Sequence, residues 1–104
     1  MYKQVSLCEA EALLSQQNVT VADVRDKESF DEDHIPNAIH LSVIKLQDFC
    51  DHHDKDKPLL LYCYHGISSQ SVAQHLVDQG FMSVYSLIGG FEGWKSHQPN
   101  DDVA

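Results

Sequence analysis

The sequence predicts an α/β domain, with a mostly parallel sheet of about five strands covered by helices on both faces. Short β-branched or leucine-rich runs alternate with amphipathic segments along the chain, the order that strand–helix–strand crossovers require. The apolar run Leu59–Tyr62 reads as the central strand and ends abruptly at Cys63 and a loop. Capping and turn residues (Ser6, Asp26, Pro36-Asn37, Gly80, Gly89-Gly90) fall between the runs.

At 104 residues the chain is long enough for one core and too short for two, so residues 1–104 are expected to form a single domain. No apolar run is long enough to span a membrane, and Met1–Gln4 lacks the apolar stretch of a signal peptide. Cys8, Cys50 and Cys63 cannot all pair and have no CxxC or zinc-like spacing, which points to free thiols in a reducing, cytoplasmic setting. The formal net charge of −9 argues against nucleic acid or an anionic membrane as partner. It also works mildly against capture of any small anion.

Val5 closes a short first strand. Ser6 and Glu9 have the spacing of a capping box, and Leu7, Ala10, Leu13 and Leu14 recur at helical spacing, predicting a helix over 7–17. Cys8, in its first turn, is expected to be a small, partly buried apolar residue. Residues 19–25 are rich in β-branched side chains and read as a buried strand ending in Asp23, Arg25 and Asp26. Ligands gather at the carboxyl ends of strands in such sheets. Asp23 and Arg25 are therefore either an ion pair that braces a site or surface charges. Asp26 caps a short helix.

Pro36-Asn37 marks a turn before a short strand over 38–41, and His34 ahead of it is expected to bond the backbone and fix the loop. Ser42 is expected to cap the next helix, with Leu46, Phe49, Cys50 and His53 on one face. Asp51-His52-His53-Asp54 has residues that could hold a metal. Adjacent histidines on a helix point in different directions, so a solvated helix end is expected instead. Beyond the central strand, Val72, Ala73, Leu76 and Val77 form a helical stripe that Gly80 terminates. Residues 81–87 read as the last strand. Gly89-Gly90 then turns into a short helix in which Phe91 and Trp94 plug the core, and 99–104 form a polar, frayed tail.

The chemistry concentrates in Cys63-Tyr64-His65-Gly66-Ile67-Ser68-Ser69. Gly66 tolerates positive φ in a tight loop, and Ser68 or Ser69 offers an N-cap hydroxyl for the following helix. Strand, cysteine, loop and helix N-terminus in that order aim backbone N–H groups and a helix dipole at the sulfur. Such surroundings lower a thiol's pKa and gather an anion beside it. Cys63 is thus the candidate nucleophile.

Four stretches together resemble the rhodanese family, in its single-domain thiosulfate sulfurtransferase form. They are Asp23-Val24-Arg25; Phe30 to Ala38, similar to the family's Phe/Tyr-x3-His-Ile-Pro-Gly-Ala signature with Asn37 in place of glycine; the loop Cys63–Ser68; and the Gly-Gly-Phe-x-x-Trp ending at Trp94. Asparagine is the next most tolerant residue of left-handed backbone, so that departure touches only a turn.

The resemblance implies a rhodanese-like three-layer α/β/α fold. It also implies a two-step transfer in which Cys63 takes the outer sulfur of thiosulfate as a persulfide and passes it to a thiophile. Cyanide serves in assay, and a small thiol or a thioredoxin-like protein would serve in a cell. Tyr64, His65, Gly66, Ile67, Ser68 and Ser69 would bind the substrate, with Asp23, Arg25 and His34 supporting the site. No metal or organic cofactor is expected, because the cysteine carries the group. His65 is the only loop side chain able to become cationic near neutrality.

Rival readings differ in specific ways. Cysteine phosphatases and arsenate reductases place an arginine six residues after the cysteine to clamp an oxyanion, and Ser69 occupies that position here. A persulfide relay or an interaction module fed by a protein sulfur donor would share the same loop.

Overall fold

The computed structural model describes residues 2–16, 18–42 and 44–96. In chain order the elements are β1 (Lys3–Val5), α1 (Leu7–Leu14), β2 (Thr20–Asp23), α2 (Lys27–Glu32) and β3 (Ile39–His40). They continue with α3 (Leu46–His52), β4 (Leu59–Tyr62), α4 (Ser68–Asp78), β5 (Val84–Leu87) and α5 (Gly90–Ser96). The strands form one sheet in the order β1-β5-β4-β2-β3, and every pairing is parallel. The expected parallel α/β architecture is what forms.

Layering follows from the two-residue period of the strands. On β4, all of whose residues are buried, Leu60 and Tyr62 face one core and Leu59 and Leu61 the other. The first core is closed by Ala10 of α1 and Phe91 of α5. The second is closed by Cys50 of α3 and by Ala73 and Leu76 of α4. Each leucine of β4 removed from water contributes about 2 kcal/mol, which makes this strand the anchor of both layers. The register pairs Asp23 with both Tyr62 and His40, so β2, β3 and β4 end level and their loops emerge along one edge.

Several boundaries differ from expectation. Ser6 and Glu9 close a reciprocal capping box, yet α1 stops at Leu14, earlier than the expected 17, and Gln17 lies outside the described residues. Cys8 is exposed rather than partly buried, because it lies off the stripe formed by Leu7, Ala10 and Leu14. Ser42 does not cap α3: its Oγ accepts the Lys45 N–H in a turn, and the helix begins only at Leu46. The last strand starts at Val84, later than the expected Phe81. Gly80 (φ +103°) ends α4 in a Schellman arrangement that uses the Gly80 and Phe81 N–H groups on Val77 and Leu76. Asn37 adopts φ +71°, the left-handed turn its type favours. The tail expected to fray, 99–104, lies outside the described residues.

Candidate active site

Cys63 follows β4 directly, and its side chain is sunk in the bowl made by the loop and the start of α4, with 3% of the residue exposed. The Gly66 N–H donates to Sγ at 3.2 Å and the Ser69 N–H at 3.3 Å, while Ser69 Oγ stands 3.5 Å away. Sequence logic assigns Ser68 or Ser69 as the helix cap; the structure corrects this. The N-cap residue is Ile67, whose side chain makes no capping bond. A free N–H of the first turn, that of Ser69, points at sulfur instead. The thiol occupies the place of a cap oxygen.

The loop can aim its N–H groups inward because its carbonyls are held elsewhere. Phe91 N–H at the start of α5 takes the Cys63 carbonyl at 2.7 Å, Glu92 N–H takes that of Tyr64 at 3.0 Å, and Gln70 Nε2 takes that of Gly66 at 2.8 Å. Tyr2 Oη on the far side steadies Gln70 at 3.0 Å. Two glycines permit this close approach. Gly66 has φ +90°, and a Cβ there would lie 2.8 Å from Gly89 N and 2.9 Å from Leu87 O. A Cβ on Gly90 would lie 2.5 Å from Cys63 O.

Burial pushes the Cys63 thiol up. The Ser69 hydroxyl and the N–H groups of Ser69, Gly66 and His65 favour the thiolate and outweigh burial, so the thiol is held below its ordinary value. No lysine or arginine lies in 63–69, so the loop's positive potential comes from backbone and helix dipole alone.

The remaining candidates take different places. The side chains of Tyr64, His65, Ile67 and Ser68 are exposed around the mouth. Tyr64 Oη donates to the Asp26 carboxylate and also meets Ser29 Oγ, tying the loop to the start of α2. That bond, with those from Ser29, holds the Asp26 carboxyl down at about 2. Of the two readings of Asp23 and Arg25, the ion pair is the one found. Arg25 Nη2 meets Asp23 Oδ2 at 2.7 Å, its Nε bridges both carboxylate oxygens at 3.1 Å, and both residues are buried. The guanidinium also lies over the Phe91 ring, 4.2 Å from its centre, and bonds Asp33 O at 2.6 Å. His34 bonds the Phe30 carbonyl through Nδ1 at 2.7 Å and stacks on the Phe30 ring. These three brace the neighbouring loops and are not among the groups that bond the sulfur.

Sequence reasoning missed two participants. Gln70 holds the loop from α4, and Ser86 on β5 places its Oγ 2.7 Å from Ser69 Oγ. The available signal for Ser86 was a small polar residue between the bulky Tyr85 and Leu87 of the Val84–Leu87 strand.

A model of the rhodanese-like domain matches residues 6–97. The chain belongs to the rhodanese family. Among relatives, it is 62% identical to a thiosulfate sulfurtransferase GlpE of Coxiella burnetii, covering 99% of this chain and 96% of that protein. It is 45% identical to the protein of the same name from Pseudomonas syringae, over 98% and 95% of the two chains. Solved rhodanese folds superpose well. A human single-domain sulfurtransferase matches with a TM-score of 0.84, with 20% identity over 94% of this chain and 99% of that one. A rhodanese-like domain protein from Staphylococcus aureus matches at 0.78, with 26% identity over 88% and 90%. Within this rhodanese, the loop that carries the family resemblance is the one that surrounds Cys63 with N–H groups.

Proposed function

We propose that the chain is a thiosulfate sulfurtransferase working by a ping-pong mechanism through a persulfide on Cys63. The observation that carries this reading is the convergence of the Gly66 and Ser69 N–H groups on a sulfur at the N-terminus of α4. In the first half-reaction the thiolate lone pair attacks the outer sulfur of thiosulfate. The sulfur–sulfur bond breaks, its electron pair leaves with sulfite, and Cys63 keeps the outer sulfur as a persulfide anion. The same N–H groups and the Ser69 hydroxyl then face an extended anion in place of the thiolate. In the second half-reaction a thiophile attacks the terminal sulfur and the pair returns to Cys63. Proton transfer is needed in neither step.

The names of the relatives support thiosulfate as donor. Cyanide is the assay acceptor, and a small thiol or a thioredoxin-like protein in the cytoplasm is the acceptor we assign to the cell. Ile67, 74% exposed, and Tyr64, 41% exposed, stand at the mouth and favour an acceptor that is itself a protein. No helix among the described residues is long and apolar enough to cross a membrane. Initial rates of thiocyanate formation, varied in thiosulfate and cyanide, test the reading. Parallel double-reciprocal lines for the wild type and no turnover in Cys63→Ala are expected. Intersecting lines, or turnover surviving in Cys63→Ala, would overturn it.

A further inference from the structure

Ser86 sits on β5, 1% exposed, in a strand whose neighbours Val84 and Leu87 are core residues. A hydroxyl placed there costs stability unless it is bonded. Its Oγ lies 2.7 Å from Ser69 Oγ, and Ser69 Oγ in turn lies 3.5 Å from Cys63 Sγ. Ser69 is itself fully buried. Three side-chain atoms, from the residue that follows β4, from α4 and from β5, therefore form one hydrogen-bonded chain that ends at the reacting sulfur.

From this chain of hydrogen bonds we infer that Ser86 is a positioning residue for Cys63, acting through Ser69. The hydroxyls have two arrangements. With Cys63 protonated, Sγ–H donates to Ser69 Oγ, and the Ser69 hydroxyl donates to Ser86. Once the thiol has lost its proton, the Ser69 hydroxyl must turn to the sulfur. The Ser86 hydroxyl then donates into Ser69 Oγ, polarising its O–H and holding it on the thiolate. The persulfide anion would draw on the same relay. Nothing is consumed, since the relay only reverses the direction of its hydrogen bonds.

The inference rests on Cys63 being the nucleophile, but its test does not need sulfur transfer. The rate of iodoacetamide alkylation at Cys63, followed against pH by peptide-resolved mass spectrometry, reads thiol ionisation directly and separates Cys63 from Cys8 and Cys50. In Ser86→Ala the midpoint should rise by about half a pH unit, as expected for loss of cooperative polarisation. Ser69→Ala should raise it further, and Ser69→Ala/Ser86→Ala should match Ser69→Ala alone. Ser86→Thr and Ser86→Val have nearly the same shape, so should alanine fail to fold they isolate the hydroxyl: threonine should keep the lower midpoint and valine should not.

Every variant leaves in place the charged and titratable groups on the surrounding elements. These are Tyr62 on β4, Tyr64 and His65 in the loop, Asp23 on β2 with Arg25 and Asp26 after it, His75 and Asp78 on α4, Tyr85 on β5, and Glu92 and Lys95 on α5. An unchanged midpoint in Ser86→Ala would overturn the inference, as would equal midpoints in the threonine and valine variants. So would a double variant whose shift is the sum of the two single shifts. None of these results would bear on whether thiosulfate is the donor, which the thiocyanate assay decides.

Discussion

Cys63 carries the residue-scale consequences. Its folded-state pKa is depressed, so the thiolate is more stable in the folded protein than in the unfolded chain, where a thiol titrates at about 8.5. The stabilisation is fully present above the unfolded value and is lost as pH falls through the lower folded value. Urea unfolding of wild type and Cys63→Ser should therefore show a stability difference that moves in favour of wild type as pH rises through that window. A difference independent of pH would contradict the depressed thiol. Gly66 gives a second residue-scale prediction. With φ +90° and backbone atoms 2.8 and 2.9 Å from a built Cβ, Gly66→Ala should cost about 2 kcal/mol in urea unfolding. It should also slow sulfur transfer by roughly 10-fold or more, because one N–H donor leaves the sulfur. The need for a glycine in the loop was legible from residue type. The duty of Ser69 was not, because a serine near a helix start signals a cap whether or not a neighbouring sulfur has taken that place.

Among elements, the ends of β2 and β4 and the start of α5 form one unit. The Asp23–Arg25 pair joins β2 to the loop before β3, and Arg25 rests on Phe91, whose N–H holds the Cys63 carbonyl. Asp23→Asn leaves a buried guanidinium without its counter-charge, and should cost about 3 kcal/mol in urea unfolding. An unchanged midpoint would show that Arg25 finds another anion. The pair was visible in the sequence as charges at a strand end, but only tertiary placement separates a brace from surface charge. Helix stripes and the central strand were legible because burial imposes their periods. The start of α3 was not, because Ser42 satisfies the sequence pattern for a cap while forming a turn. Nor was the start of β5, where a Schellman ending borrows residues from the strand side.

For the whole molecule, alternation of runs was enough to read a layered parallel sheet, whereas it leaves the order of the strands open, and the order β1-β5-β4-β2-β3 is set by tertiary packing. Net charge operates at this scale as well. A protein of formal charge −9 repels a dianion, and the loop supplies no fixed cation to offset it. Added salt should therefore lower KM for thiosulfate by screening, with kcat little changed. A KM that rises with salt would mean that local attraction at the mouth outweighs the field of the whole protein. Whether Cys63 carries sulfur is read from intact mass after brief incubation with thiosulfate, for wild type and Cys63→Ser. A gain of one sulfur atom, about 32 Da, is expected in wild type only, and it should be lost on adding cyanide. No gain in wild type, or an equal gain in Cys63→Ser, would contradict sulfur transfer through Cys63.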